Sequence, residues 1–167
     1  MINVQKLSTN YIVRKLTEND IDTIFDLYIN NNKYFNYLDI TPTKQSIIED
    51  MNETPNGISI DSKYFIGYFK EDKLIAVVDL IDCYPQSNEA YIGLFMIDIN
   101  YQNRNIGTFI FNELKKSLKN QNFSKIKLAY INDNVEAKYF WHKLGFIEDG
   151  KTSKLFNKDI TQLELVL

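Results

Sequence analysis

The chain is poor in the residues that staple or ligate. Its single cysteine, Cys83, excludes an internal disulfide. With one histidine, His142, no Cys/His set for a structural zinc can be assembled, and no metal is expected. Cys83 follows an apolar run and reads as a core residue rather than a nucleophile. No apolar stretch approaches the roughly 20 residues of a membrane-spanning helix. The start, Met1-Ile-Asn-Val-Gln-Lys6, lacks the apolar centre of a signal peptide, so a cytoplasmic location is the default expectation. Basic charge is not in excess either. A net charge of −3 argues against nucleic acid as a partner. Neither Gly-x-Gly-x-x-Gly nor Gly-x-x-x-x-Gly-Lys-Ser/Thr occurs, which weighs against the common nucleotide-binding folds. No repeat or low-complexity linker interrupts the chain, and residues 1–167 read as one domain.

What is present is strong local patterning. Tyr11–Leu16 alternates as a strand. Thr17 or Asp20 opens a helix over Ile21, Ile24, Phe25, Leu27 and Tyr28, which ends at Asn30-Asn31-Asn32. The aromatic segment Tyr34–Leu38 lies between two helical patterns. The second of these starts at Thr41-Pro-Thr43 and ends near Thr54-Pro-Asn-Gly57. Tyr64–Phe69 and Leu74–Asp82 flank the turn Lys70–Lys73 and predict a hairpin. Tyr91–Ile99 reads as a strand covered on both faces. A polar loop, Tyr101–Gly107, leads into a helix patterned on Phe109, Ile110, Phe111, Leu114 and Leu118. Such a strand–loop–helix junction points several backbone N–H groups at one spot, and that spot favours an anion. A strand over Lys125–Ile131, a helix capped by Asn132–Asn134 and closed by Gly145, and two strand-like runs near Lys154–Phe156 and Gln162–Leu167 complete the chain. The order is β-α-α-β-β-β-α-β-α-β-β.

Two stretches, in this order and spacing, carry a resemblance. Gln102-Asn-Arg-Asn-Ile-Gly-Thr108 resembles the pyrophosphate loop Gln/Arg-x-x-Gly-x-Gly/Ala of the GNAT superfamily of acyl-CoA-dependent N-acyltransferases. Asn105 replaces the first glycine. Asn is the non-glycine residue that best tolerates positive φ, so the loop can keep its shape. Asn134-Val-Glu-Ala-Lys-Tyr-Phe-Trp-His-Lys-Leu-Gly-Phe146 is similar to the family's Asn-x-x-Ala-x-x-Phe-Tyr-x-Lys-x-Gly-Phe segment. The resemblance covers Tyr64–Phe146 well and the first sixty residues only in outline. It implies an α/β (α+β) fold: a mixed, mostly antiparallel sheet of six to seven strands, flanked by about four helices, with splayed central strands forming a cofactor cleft.

The function implied is transfer of an acetyl group from acetyl-CoA directly to a primary amine of a small molecule, peptide or protein, releasing coenzyme A. The N–H groups of Asn103, Arg104, Asn105, Ile106, Gly107 and Thr108, with Gln102, would hold the pyrophosphate. Arg104 either adds its charge there or is a solvated loop residue. Met96 and Ile97 would bind the pantetheine arm. Asn134 would reach the same arm, cap the last helix, or do both. Trp141 stands where many relatives have the tyrosine that protonates the leaving thiolate, and an indole is no practical acid. Trp141 either stabilises the thiolate at the cofactor by a hydrogen bond alone, or another group is the acid, or the thiolate leaves unassisted. Tyr139, His142 and Tyr130 are the other candidate donors, but Tyr139 and His142 lie about 100–200° away from Trp141 around a helix.

For the base, Asp79 interrupts an apolar strand. A carboxylate there is paired, at a cleft, or at an edge. Glu89 and Asp82 are the other carboxylates considered, and all three suit a cationic acceptor. Tyr34, Phe35, Tyr37, Asp82 and Tyr84 are the expected acceptor contacts. A second reading is a non-catalytic acyl-CoA-binding or sensor module, with Asn105 and Trp141 marking a decayed site. No membrane partner is expected. Relatives are often dimers, but nothing in the sequence marks an interface.

Overall fold

The computed structural model describes residues 1–167 and contains seven strands in one sheet, ordered β1-β2-β3-β4-β5-β7-β6. The strands are β1 (Ile12–Lys15), β2 (Lys63–Lys70), β3 (Lys73–Asp82), β4 (Glu89–Ile97), β5 (Lys125–Ile131), β6 (Ile147–Leu155) and β7 (Lys158–Val166). The helices are α1 (Ile21–Asn30), α2 (Asn32–Leu38), α3 (Lys44–Asn52), α4 (Ile106–Asn120) and α5 (Val135–Lys143). All neighbouring pairs are antiparallel except β4 and β5. The mixed sheet and its element order follow the sequence-based expectation, with one helix more. The aromatic stretch Tyr34–Leu38 is itself helical, and Asp39, in the left-handed region, ends it.

The sheet divides the core in two. α4 and α5 cover one face, where Ile110, Phe111, Leu114 and Leu118 meet Ile66, Val78, Ile92 and Leu128. α1, α2 and α3 cover the other, packing Ile24, Leu27, Tyr28, Phe35 and Ile47 on Phe65, Phe69, Val77 and Met96. A smaller cluster of Leu38, Ile131 and Ile160, with Tyr34 and Tyr37 against it, shows that α2 reaches across to β5 and β7.

Two irregularities in the middle of the sheet matter most. Asp79 pairs with Leu94 but Leu80 pairs with Ile92, so Gly93 is the extra residue of a bulge in β4. Beyond the same point β4 and β5 part. Their parallel pairing runs from Glu89–Lys125 to Ile92–Leu128 and stops. From Gly93 onward β4 pairs only with β3, while Ala129–Ile131 pair only with β7. The five residues Gly93–Ile97 thus border a wedge about 16 Å long at the usual strand rise.

An aromatic block seals the α4–α5 side of this wedge. Trp141 is 7% exposed and meets Phe95, Phe111, Phe140 and Phe146 edge-to-face, with centroids at 5.4, 5.6, 4.9 and 5.3 Å. Phe95 stacks on Phe140 at 6.0 Å. Trp141 is therefore a core residue of this layer. Truncating it removes a large buried ring and leaves a cavity, so Trp141→Ala is expected to lower the unfolding free energy by about 3–5 kcal/mol. Urea denaturation followed by circular dichroism checks this; a change below about 1 kcal/mol would contradict the packing role.

Candidate active site

The loop between β4 and α4 has the geometry expected of an anion cradle. Asn103 and Asn105 both lie in the left-handed region, at φ 57° and 60°. Asn105 is the residue before α4, in the place where glycine was anticipated, and its short polar side chain tolerates that conformation. The backbone N–H groups of Asn103 through Thr108 have no acceptor in the protein. Those of Ile106–Thr108 open a 15-residue helix and sum with its dipole. A Cβ at Gly107 would meet Ile97 and Phe140 at ordinary contact distances, 3.4 and 3.6 Å, so space alone does not require glycine there. A cavity of about 450 Å³ flanks the loop, lined by Arg104, Asn105, Ile106 and Phe109 with Tyr11 and Lys70. These residues suit a phosphate-bearing cofactor.

Gln102 behaves differently. Its Nε2 donates to Asn31 Oδ1 at 2.6 Å and to the Ile97 carbonyl at 2.9 Å, so its side chain faces the α1–α2 junction. Asn31 in turn donates to the Leu27 carbonyl. Gln102 thereby ties the loop to the helices across the wedge. Asn134 is a helix cap: its Oδ1 accepts the Ala137 N–H at 3.0 Å, at the mouth of the wedge after β5. Met96 and Ile97 lie on the unpaired edge of β4. Met96 points to the α1–α3 layer and Ile97 to the α4–α5 layer.

The α1–α3 side of the wedge holds a buried polar cluster. Asp79 Oδ2 receives a hydrogen bond from Lys63 Nζ at 2.8 Å, and Asp79 Oδ1 has no partner. A Cβ on Gly93 would lie 2.6 Å from Asp79 Oδ2, so only glycine leaves room for this carboxylate. Burial pushes the Asp79 carboxyl above its ordinary range, against the pull of Lys63. Asp50, on α3, accepts the Tyr28 hydroxyl at 3.1 Å and is pushed up to about 6, mainly by burial. Tyr34 is pushed up to about 12 by burial and by the neighbouring Asp50 and Asp79. Tyr34 and Tyr37 border this side, while Phe35 is buried behind them.

Other expected residues are elsewhere. Glu89, Asp82 and Tyr84 sit at the opposite end of the sheet from the wedge. Glu89 begins β4, and the six residue steps from it to Phe95 span about 20 Å. Asp82 contacts the Met1 amino group at 3.1 Å, and Tyr84 packs on Tyr91. Loop ends at both edges of a sheet look alike in sequence, and only the pairing register separates them. Tyr139 is 70% exposed on the outer side of α5. Trp141 is enclosed by rings, as described above. His142 Nδ1 is 3.1 Å from the Phe146 carbonyl, and Tyr130 is buried on the α5 side of β5. Cys83 is exposed with φ 55°, contrary to the core reading: the strand ends one residue earlier and the chain turns there. Asp50, Lys63 and Gly93 were missed. Gly93 alone had a local signal, a lone glycine inside an apolar strand, which often marks a bulge.

The Asp50 environment gives a signed expectation. Its folded carboxyl holds a proton up to about pH 6, against about 4 unfolded, so stability falls as pH rises through that window. Asp50→Asn should stabilise the protein by about 1–2 kcal/mol at pH 7.5, the value allowing for partial exposure, and by about 0.5 kcal/mol or less at pH 4. Denaturant melts at the two pH values measure this; equal effects at both would refute it.

A profile of the family described as "Acetyltransferase (GNAT) family" matches residues 26–146. Among solved structures, an acetyltransferase from Thermus thermophilus superposes with a TM-score of 0.76 at 17% identity, covering 95% of this chain and 97% of that one. The PaiA N-acetyltransferase of Thermoplasma acidophilum, crystallised in complex with coenzyme A, gives 0.64 at 18%, covering 91% and 97%. The ribosomal-protein-S18-alanine N-acetyltransferase of Escherichia coli gives 0.65 at 13%, covering 93% of each. A search of curated protein sequences returns no match. With the wedge, the left-handed loop and the family profile in agreement, the chain belongs to the GNAT acetyltransferase family.

Proposed function

We propose that the chain transfers an acetyl group from acetyl-CoA directly to a primary amine of a small molecule, peptide or protein. The observation that carries this reading is the meeting, at Gly93, of an opened β4–β5 seam and a buried carboxylate. Bound acetyl-CoA supplies the acyl group already activated as a thioester. The free N–H groups of Asn103–Thr108 hold the pyrophosphate, and exposed Arg104 adds positive charge. The unpaired edge of β4 offers fixed backbone dipoles where the acyl carbonyl gains charge. Asn134, the cap of α5 just beyond the end of β5, lines the pantetheine path from the other side of the seam.

A primary amine arrives protonated near neutral pH and must lose its proton before it can attack. Asp79 is the group that takes it. Burial has already moved its proton affinity upward, in the direction a base needs. Tyr34 and Tyr37 border the acceptor side. No chain group at the Trp141 position supplies an acid, and none is required, because a thiol ionises near pH 8.5. The second reading, a cofactor-sensing module, rests on that same buried Trp141.

Thiol release from acetyl-CoA, followed over a panel of primary amines, tests the reading. Turnover with at least one amine is expected, and Asp79→Asn should reduce kcat/KM about 10²–10⁴-fold at pH 7. Binding of acetyl-CoA without turnover on any amine would favour the sensor. Undiminished turnover in Asp79→Asn would remove Asp79 from the mechanism.

A further inference from the structure

Lys63 is a costly residue to place where it is. Its side chain is 4% exposed, on the helix-covered face of β2. Buried lysines are rare, and an apolar residue of similar length would pack there without desolvating a charge. The pairing register explains its reach. Lys63 lies opposite Ile81 and Phe65 opposite Asp79, so Lys63 and Asp79 are diagonal neighbours on one face. A long side chain spans such a diagonal. The ammonium ends 2.8 Å from Asp79 Oδ2, the oxygen that rests against the open side of Gly93. From the neighbouring strand β1, the Lys15 ammonium donates to the Lys63 carbonyl at 3.3 Å and lies 4.3 Å from the Tyr64 ring. These contacts steady the root of the lysine.

We propose that Lys63 is the positioning residue for the acceptor base, fixing the Asp79 carboxylate against Gly93 and keeping it ionised. The inference rests on the assignment of Asp79 as the base. Lys63 itself touches neither substrate nor cofactor. Its work is done on Asp79 in two ways: it fixes one oxygen, which sets the carboxylate plane, and it opposes the burial that would otherwise protonate the group.

The remaining charges around Asp79 make that opposition necessary. Asp50 and Glu53 face it from α3 and the residue that follows α3, and both are negative when ionised. Tyr34 on α2 and Tyr28 on α1 complete the surround, and neither carries positive charge. Lys63 is the cation that acts on Asp79 directly, through both attraction and a hydrogen bond. Without it a buried carboxyl beside other carboxyls holds its proton to higher pH and is then no acceptor.

The test is a titration of the Asp79 carboxyl by carbon-13 NMR in aspartate-labelled full-length protein. The resonance is assigned by its loss in Asp79→Asn. Lys63→Met is expected to move the midpoint up by about one pH unit or more, and Lys63→Arg to restore it. If Lys63→Met does not fold, Lys63→Gln keeps a donor without the charge and should show the same upward shift. Equal midpoints in parent and variant would overturn the role of Lys63 while leaving Asp79 untouched. The acid limb of kcat/KM, measured with acetyl-CoA and the amine turned over best, should shift with the midpoint. A one-unit shift means about tenfold lower activity on that limb and recovery at higher pH. A midpoint that moves while the limb stays still would overturn the assignment of Asp79 itself.

Discussion

The structure depends on where β4 and β5 stop pairing. Four residue pairs, from Glu89–Lys125 to Ile92–Leu128, hold the two halves of the sheet together. Immediately after them, one extra residue in β4 shifts its register against β3 and the seam opens. A bulge increases local twist and leaves backbone groups unpaired, which is costly in a covered sheet unless something else meets them. Gly93 is suited to the position for a second reason: a Cβ there would collide with Asp79. One residue thus opens the seam and admits the carboxylate beside it.

Each side of the opening is held by a different kind of contact. On the α4–α5 side the support is apolar, a block of five rings centred on Trp141 that keeps β4 and α5 together beyond the last paired residues. On the α1–α3 side it is polar: Lys63, Asp79, Asp50, Tyr28 and Tyr34 share a buried space with two carboxylates and one ammonium. Gln102 and Asn31 join the two sides across the top of β4. The solvent-facing pairs Lys33–Glu136 and Lys158–Asp39 span the same gap, but water screens such pairs and they contribute little. Packing and buried hydrogen bonds therefore define the wedge more than surface charge does.

Much of this was legible in the sequence because it is local. Thr43 caps α3 through its own side chain, Asn134 caps α5, and Gly145 takes φ 95° after α5. Asn105 adopts the left-handed conformation that its chemistry permits. The helix at Asn32–Leu38 was missed because its apolar residues divide between two clusters, Phe35 in one, Leu38 in the other and Tyr34 against both, so no single apolar stripe forms. What distant pairing decides was not legible. Asp79, Asp82 and Glu89 are equivalent as letters, yet only Asp79 lies beside the opening. Trp141 aligns with a catalytic tyrosine in motif, but its larger ring is enclosed by four others. Lys63 lies just before the run Tyr64–Phe69 that reads as a strand, and only the diagonal pairing across β2 and β3 reveals its partner.

The central claim is that the left-handed loop and the opened seam together form a site for an acyl-CoA. Calorimetric titration of the purified protein with acetyl-CoA, with ATP as the control, tests this most directly. The account predicts saturable one-to-one binding of acetyl-CoA, with ATP, which lacks the pantetheine arm that the seam would hold, binding at least about tenfold more weakly. Absence of acetyl-CoA binding by a folded sample, or equal affinity for ATP, would contradict it.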